Sequence, residues 1–192
     1  MSFIIENGIL RHYRQNRFTP ETKIIIPGGV TEISAFAFDD CREILSVQMP
    51  GTVRKIGNSA FGFCENLQTI RMSRKITEIE GYAFHACENL RTIVIPENLS
   101  VIREFTFCKC KNLQVVRIPE KIRLIDIFAF WGCERLETVV IPGQVRNIKE
   151  AAFQKCRHLK TVKIRNHPGQ IQIAPDAFAD CHPGLQIIYE AS

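Results

Sequence analysis

Cys64-Glu65-Asn66-Leu67-Gln68-Thr69-Ile70-Arg71-Met72-Ser73-Arg74-Lys75-Ile76-Thr77-Glu78-Ile79-Glu80-Gly81-Tyr82-Ala83-Phe84-His85-Ala86 is one period of this chain, and Cys87 opens the next. Cysteines recur at Cys41, Cys64, Cys87, Cys110, Cys133, Cys156 and Cys181, 23 residues apart except for a last gap of 25. A phenylalanine stands three residues before each of them, from Phe38 through Phe61, Phe84, Phe107, Phe130 and Phe153 to Phe178. The shared pattern is C-x2-L-x2-[VI]-x-[IM]-P-x2-[VIL]-x2-I-x3-A-F-x2-C. Proline holds its step at Pro27, Pro50, Pro96, Pro119 and Pro142, and Ser73 and Arg165 depart from it. Eight of the 23 positions are apolar or cysteine, more than an isolated unit of this size can bury, so neighbouring units must stack around one continuous core.

Within the unit, Gln68 to Met72 alternates polar and apolar, as do Arg91 to Ile95 and Lys160 to Ile164, which is the period of a strand. The proline that follows has no N–H for a ladder and ends it. Val53-x2-Ile56 and its equivalents then turn inward twice more, too briefly for a long helix, and the A-F-x2-C step is expected to close the coil as one helical turn. Every long strand runs the same way, so the sheet is parallel and the crossover is expected to be right-handed. At ~4.8 Å per stacked strand, seven to eight turns give a slab about 35 Å long.

These residues resemble the BspA-like, or treponemal-class, leucine-rich repeat family over residues 18 to 190. The resemblance implies an α/β, right-handed leucine-rich-repeat solenoid with its parallel sheet on the concave face. It also implies a mostly bacterial, often surface-associated setting and engagement of other proteins, although the repeat carries no fixed activity.

The remaining composition bounds the protein further. The chain has 192 residues, 25 Lys+Arg against 20 Asp+Glu and 45% hydrophobic residues, which excludes general disorder. Its apolar runs, such as Ile24-Ile25-Ile26, fall far short of the ~20 residues that cross a bilayer. The opening Met1 to Tyr13 lacks the marks of a secretory signal, so a cytoplasmic location is expected, with display at the cell surface as the alternative. In that compartment the eight cysteines are expected to remain thiols.

The ends depart from the repeat. Phe3 to Tyr13 is two apolar-rich runs around Asn7-Gly8, a hairpin signal, so residues 1–17 are assigned to an N-terminal hairpin cap and 18–192 to the solenoid. Residues 14–22 are read as the link between them. At the other end Leu185 to Glu190 is the closing strand, with an edge suited to an end-to-end homodimer.

On the free face of the long strands the side chains form columns. One is Lys23, Ser46, Thr69, Thr92, Val115, Thr138 and Thr161; the next is Ile25, Gln48, Arg71, Val94, Arg117, Val140 and Lys163. A rim column is Leu45, Gln68, Arg91, Gln114, Glu137 and Lys160. Six of these are basic (Lys23, Arg71, Arg91, Arg117, Lys160 and Lys163) and one, Glu137, is acidic, which describes a Thr-lined basic trough for another protein with an acidic surface. The competing reading is strand solubility, since Thr and charged residues are ordinary on an exposed sheet face. A weak polyanion or nucleic-acid binder is a further alternative, and nucleic acid is the weaker match: the positives are dispersed and no binding motif or interleaved aromatics accompany them.

The repeat cysteines occupy one inward column and read as core; a row of thiols suits neither disulfides nor the converging ligands of zinc. Cys108 lies outside that register, at the step of His85 and Trp131, and is expected near the outer surface as the candidate reactive thiol. No third orienting group accompanies it, so a cysteine-dependent enzyme is the least favoured alternative to a non-catalytic binding scaffold. No motif for a metal or cofactor is present, and none is expected.

Overall fold

The computed structural model describes residues 2–15, 18 and 21–190. Strands β1 (Ser2–Glu6) and β2 (Ile9–Arg14) form an antiparallel hairpin around Asn7 and Gly8, whose φ angles of 50° and 76° are the left-handed pair a type I′ turn requires. Part of the assigned link, residues 16, 17, 19 and 20, lies outside the described residues, and with it the boundary between hairpin and solenoid.

Each following coil contributes one longer and one shorter strand. The longer ones are β3 (Lys23–Ile25), β5 (Ser46–Gln48), β7 (Thr69–Arg71), β9 (Thr92–Val94), β11 (Val115–Arg117), β13 (Thr138–Ile141), β15 (Thr161–Ile164) and the closing β17 (Gln186–Tyr189). The shorter are β4 (Glu32–Ile33), β6 (Lys55–Ile56), β8 (Glu78–Ile79), β10 (Val101–Ile102), β12 (Leu124–Ile125), β14 (Asn147–Ile148) and β16 (Gln172–Ile173). All pairings between coils are parallel and in register, with Val47 opposite Ile70 and Ile56 opposite Ile79. The result is the expected parallel solenoid of about eight coils.

The A-F-x2-C step forms no helical turn, and among the described residues there is no helix, so the architecture is all-β rather than α/β. The reason lies in the backbone. Two residues in each step but the last are held at left-handed φ, as at Phe36 (58°) and Asp40 (56°) or Phe105 (53°) and Lys109 (59°), which a right-handed helix does not contain. The N–H groups consequently alternate. Ala37, Asp39 and Cys41 donate within their own coil, to Ser34, Phe36 and Phe38, whereas Phe36, Phe38 and Asp40 donate to Asn58, Ala60 and Gly62 of the next coil at 2.8–2.9 Å. The step is thus a third hydrogen-bonded wall.

Behind that wall the registered phenylalanines stack. Phe38, Phe61, Phe84, Phe107, Phe130 and Phe153 are at most 1% exposed, and successive ring centroids from Phe38 to Phe178 lie 4.8–5.6 Å apart. The hairpin continues the column: Tyr13 stacks on Phe38 at 5.1 Å, Phe3 packs on Tyr13, and β2 pairs with β4.

The cysteine column has a second role besides filling space. Each thiol from Cys64 to Cys181 donates to the carbonyl of the phenylalanine one coil earlier, as Cys87 does to Phe61 at 3.2 Å and Cys110 to Phe84 at 3.3 Å. A residue of this size that is apolar in bulk and still carries a donor suits a fully enclosed site beside a carbonyl. All eight cysteines are free thiols.

Cys108 is corrected: it is only 2% exposed, standing in its column between the larger His85 and Trp131. Burial pushes its thiol up to about 12, against the smaller opposing effect of Lys109. A thiol that holds its proton this tightly is not the reactive group expected there.

Two outcomes are expected. Phe84→Ala lowers stability by ~3–5 kcal/mol in urea unfolding, because the void opens between two neighbouring rings of the stack. A thiol raised by folding keeps its proton longer than in the unfolded chain, so the stability linked to Cys108 is intact below about pH 9 and lost as pH climbs toward about 12. Urea midpoints should therefore fall from pH 8 to pH 11, and Cys108→Ala should make that decline shallower.

Candidate functional site

The alternation that buries Ile24, Val47, Ile93, Val116, Val139 and Val162 turns their neighbours outward, so the columns anticipated on the long strands stand on one face. Lys23, Thr69, Thr92, Val115 and Thr138 are exposed in one column, and Ile25, Gln48, Arg71, Val94 and Arg117 in the next. Arg91 and Lys160 lie exposed on the rim, just ahead of β9 and β15.

The six cations are not equivalent. Lys163 is paired with Glu190 at 2.7 Å and Arg117 with Glu97 at 3.5 Å. Lys23, Arg71, Arg91 and Lys160 make no ion pair among the described residues. Both neutralising acids lie outside the strand columns, and the coil brings each onto a cation of an adjoining coil. The positive potential is thus concentrated on the first four coils and at Lys160.

Two hollows occupy that region. The first, about 200 Å³, is lined by Lys23, Ser46, Val47, Gln48, Thr69 and Arg71, which sets two cations around hydroxyl and amide groups. The second, about 550 Å³, shares Arg71 and runs over Ile70, Met72, Val94, Ile95 and Pro96, with Ser73, Arg74, Glu97 and Arg117 at its borders.

The second hollow coincides with an interruption of the stack. The parallel ladder stops between β7 and β9 and again between β8 and β10, so the third and fourth coils are unpaired along both strand walls. The long-strand ladder is interrupted once more between β11 and β13, but there the short strands β12 and β14 stay paired. The third wall holds the two coils together through Tyr82 to Glu104, Phe84 to Thr106 and Ala86 to Cys108, at 2.8–3.0 Å.

Side-chain packing reports the same opening. Ile70 and Met72 are only partly buried, whereas their counterparts Val47, Met49, Ile93 and Ile95 are at most 7% exposed. Ser73, at the proline step, is buried, lacks the ring that Pro96 carries one coil later, and lines the hollow with it. Arg165, the other departure from proline, leaves its ladder closed, its N–H donating to Ile141 at 3.0 Å. Ile70, Met72, Val94 and Glu97 were not singled out as a site from the sequence; the available signal was the serine at the proline step.

Elsewhere the chemistry is sparse. His85 packs edge-on against Phe63 at 5.1 Å, with its protonation disfavoured by burial and then by Lys109, and no hydrogen bond among the described residues joins it to Cys108. The His158 imidazole meets the Glu134 carbonyl at 2.7 Å. Among the described residues no three His, Cys, Asp or Glu side chains converge as a metal set. At the far end β17 pairs with β15, and Ile187, Ile188 and Tyr189 remain about 40% exposed.

The chain is similar to known repeat proteins. The T. pallidum leucine-rich repeat protein superposes with a TM-score of 0.77 at 31% identity, over 86% of this chain and 77% of that one. A leucine-rich cell surface protein of Faecalibacterium prausnitzii gives a TM-score of 0.52 at 24% identity, over 98% and 74% of the two chains. A leucine-rich-repeat protein of Bacteroides ovatus gives 0.52 at 20% identity, over 99% and 69%. No curated protein matches the sequence. The signature of the BspA type leucine-rich repeat region matches in six copies across residues 17–125 and 77–191, and with the stacked coils and registered Phe and Cys columns it makes this chain a member of the BspA-type leucine-rich-repeat family.

Proposed function

We propose that the chain is a non-catalytic protein-binding scaffold that holds an acidic partner surface against its long-strand face. The observation that carries this reading is the set of exposed cations Lys23, Arg71, Arg91 and Lys160, which have no ion pair among the described residues, on a preformed sheet. A sheet already ordered before binding loses little entropy on docking. Guanidinium groups held along its strands offer charge-assisted, two-pronged hydrogen bonds to carboxylates. The Thr hydroxyls of the neighbouring column add donors and acceptors without adding charge.

The setting is a separate matter. Among the described residues no helix is long and apolar enough to cross a membrane. A cytoplasmic scaffold is one reading; display on the cell surface is the second, favoured by the description of the Faecalibacterium prausnitzii protein of similar fold.

Two measurements test these readings. In affinity capture from the native cells, Arg71→Glu combined with Arg91→Glu should weaken retention of the partner by about tenfold or more, since like charges then face each other across the interface. Undiminished retention by a folded variant would remove this face from the function. Protease added to intact cells should leave a cytoplasmic protein whole, and cleavage under those conditions would instead assign it to the surface.

A further inference from the structure

We infer that the opening between the third and fourth coils is an anchor site for an extended acidic segment of a partner protein, one that inserts an apolar side chain over Ile70 and Met72 while its carboxylates meet Arg71 and Lys23. This rests on the reading of the long-strand face as the binding surface and goes further by naming the place and the chemistry of the contact.

Three observations converge. The floor is apolar: Ile70 and Met72, whose counterparts are enclosed in neighbouring coils, are here partly exposed beside Val94, which is 71% exposed. Such a floor gains by covering, roughly 25 cal/mol for each Å² of apolar surface removed from water. The rim is cationic: Arg71 and Arg74 make no ion pair among the described residues, and Glu97 is already engaged by Arg117. An apolar group alone would satisfy the floor and leave that charge unanswered, whereas an acidic segment answers both. The hollow also adjoins the smaller one that holds Lys23, Arg71 lining both.

Length fits as well. From β3 to β7 there are two strand spacings, about 10 Å, which an extended segment of about three residues spans, and a further residue carries it into the opening beyond. A pocket of about 550 Å³ admits one or two large apolar side chains. Ser73 is the sequence departure that lines the site, and a proline ring in its place would add bulk at the edge of the hollow.

The test uses three blocked hexapeptides as probes: alternating aspartate and leucine, the same peptide with serine for leucine, and the same with lysine for aspartate. Binding is followed by methyl NMR of the full chain at Ile70, Met72 and Val94, and by titration. The aspartate–leucine peptide should shift these methyl groups, and the serine and lysine peptides should each bind about tenfold or more weakly. Ser73→Pro, which restores the proline of the sister coils, should weaken the first peptide by about tenfold without lowering the urea midpoint. Val94→Asp, at an exposed position that tolerates a polar side chain, should give an independent loss.

If the acidic peptides bind equally with leucine or serine, and equally to wild type and Ser73→Pro, the anchor site is wrong while the basic face survives. Shifts confined to coils other than the third and fourth would have the same meaning. If no acidic peptide perturbs any long-strand residue, the anchor and the proposed binding face both fall.

Discussion

A coil of 23 residues leaves its backbone groups half satisfied until another coil lies beside it. That constraint is clearest on the wall of paired left-handed residues, where alternate N–H groups point into the coil and out to the next. An unpaired buried amide costs about as much as a lost hydrogen bond, so the coil has no stable existence alone and stacking is obligatory. The apolar columns follow the same rule, each phenylalanine finding its ring partner only in an adjoining coil.

Cysteine is bound to this arrangement by its sulfur as much as by its volume. The carbonyl of each registered phenylalanine from Phe38 to Phe153 already accepts a local N–H, from Cys41 at Phe38 for example, and the thiol of the following coil supplies a second donor to it. The column is therefore a line of weak hydrogen bonds parallel to the ring stack, linking successive coils at their most enclosed corner. Its enclosed thiols stay protonated because burial opposes the charge, as at Cys87.

Much of the fold was legible because a period of 23 forces identical environments on identical residues: once Phe84 and Cys87 repeat, their burial and stacking follow from any one coil. The left-handed wall was less legible. Non-glycine residues such as Tyr82 (φ 59°) and Phe128 (φ 53°) carry no local sign of that conformation, whose strain is offset only by bonds to the next coil. Placement of the basic columns on one face came directly from strand alternation. Their partial neutralisation did not, because Glu97 and Glu190 reach Arg117 and Lys163 across coils and from outside the columns. Cys108 was misread for a related reason: exposure at its step depends on the size of side chains 23 residues to either side, His85 and Trp131.

The double interruption beside β7 and β9 also divides the molecule energetically. In a chain of nearest-neighbour contacts, a junction that lacks both strand ladders, and keeps the left-handed wall, the Asn89 and Asn98 bonds to Glu65 and Arg74 and the ring stack, transmits less stabilisation than its neighbours, and a boundary between locally melted and intact segments settles where coupling is weakest. Amides of β4 and β6 would then exchange with solvent on one timescale and those of β12 and β14 on another. A single repeat array would behave as two cooperative blocks that meet at Ser73, so that whatever bridges the notch from outside would also fuse the blocks into one.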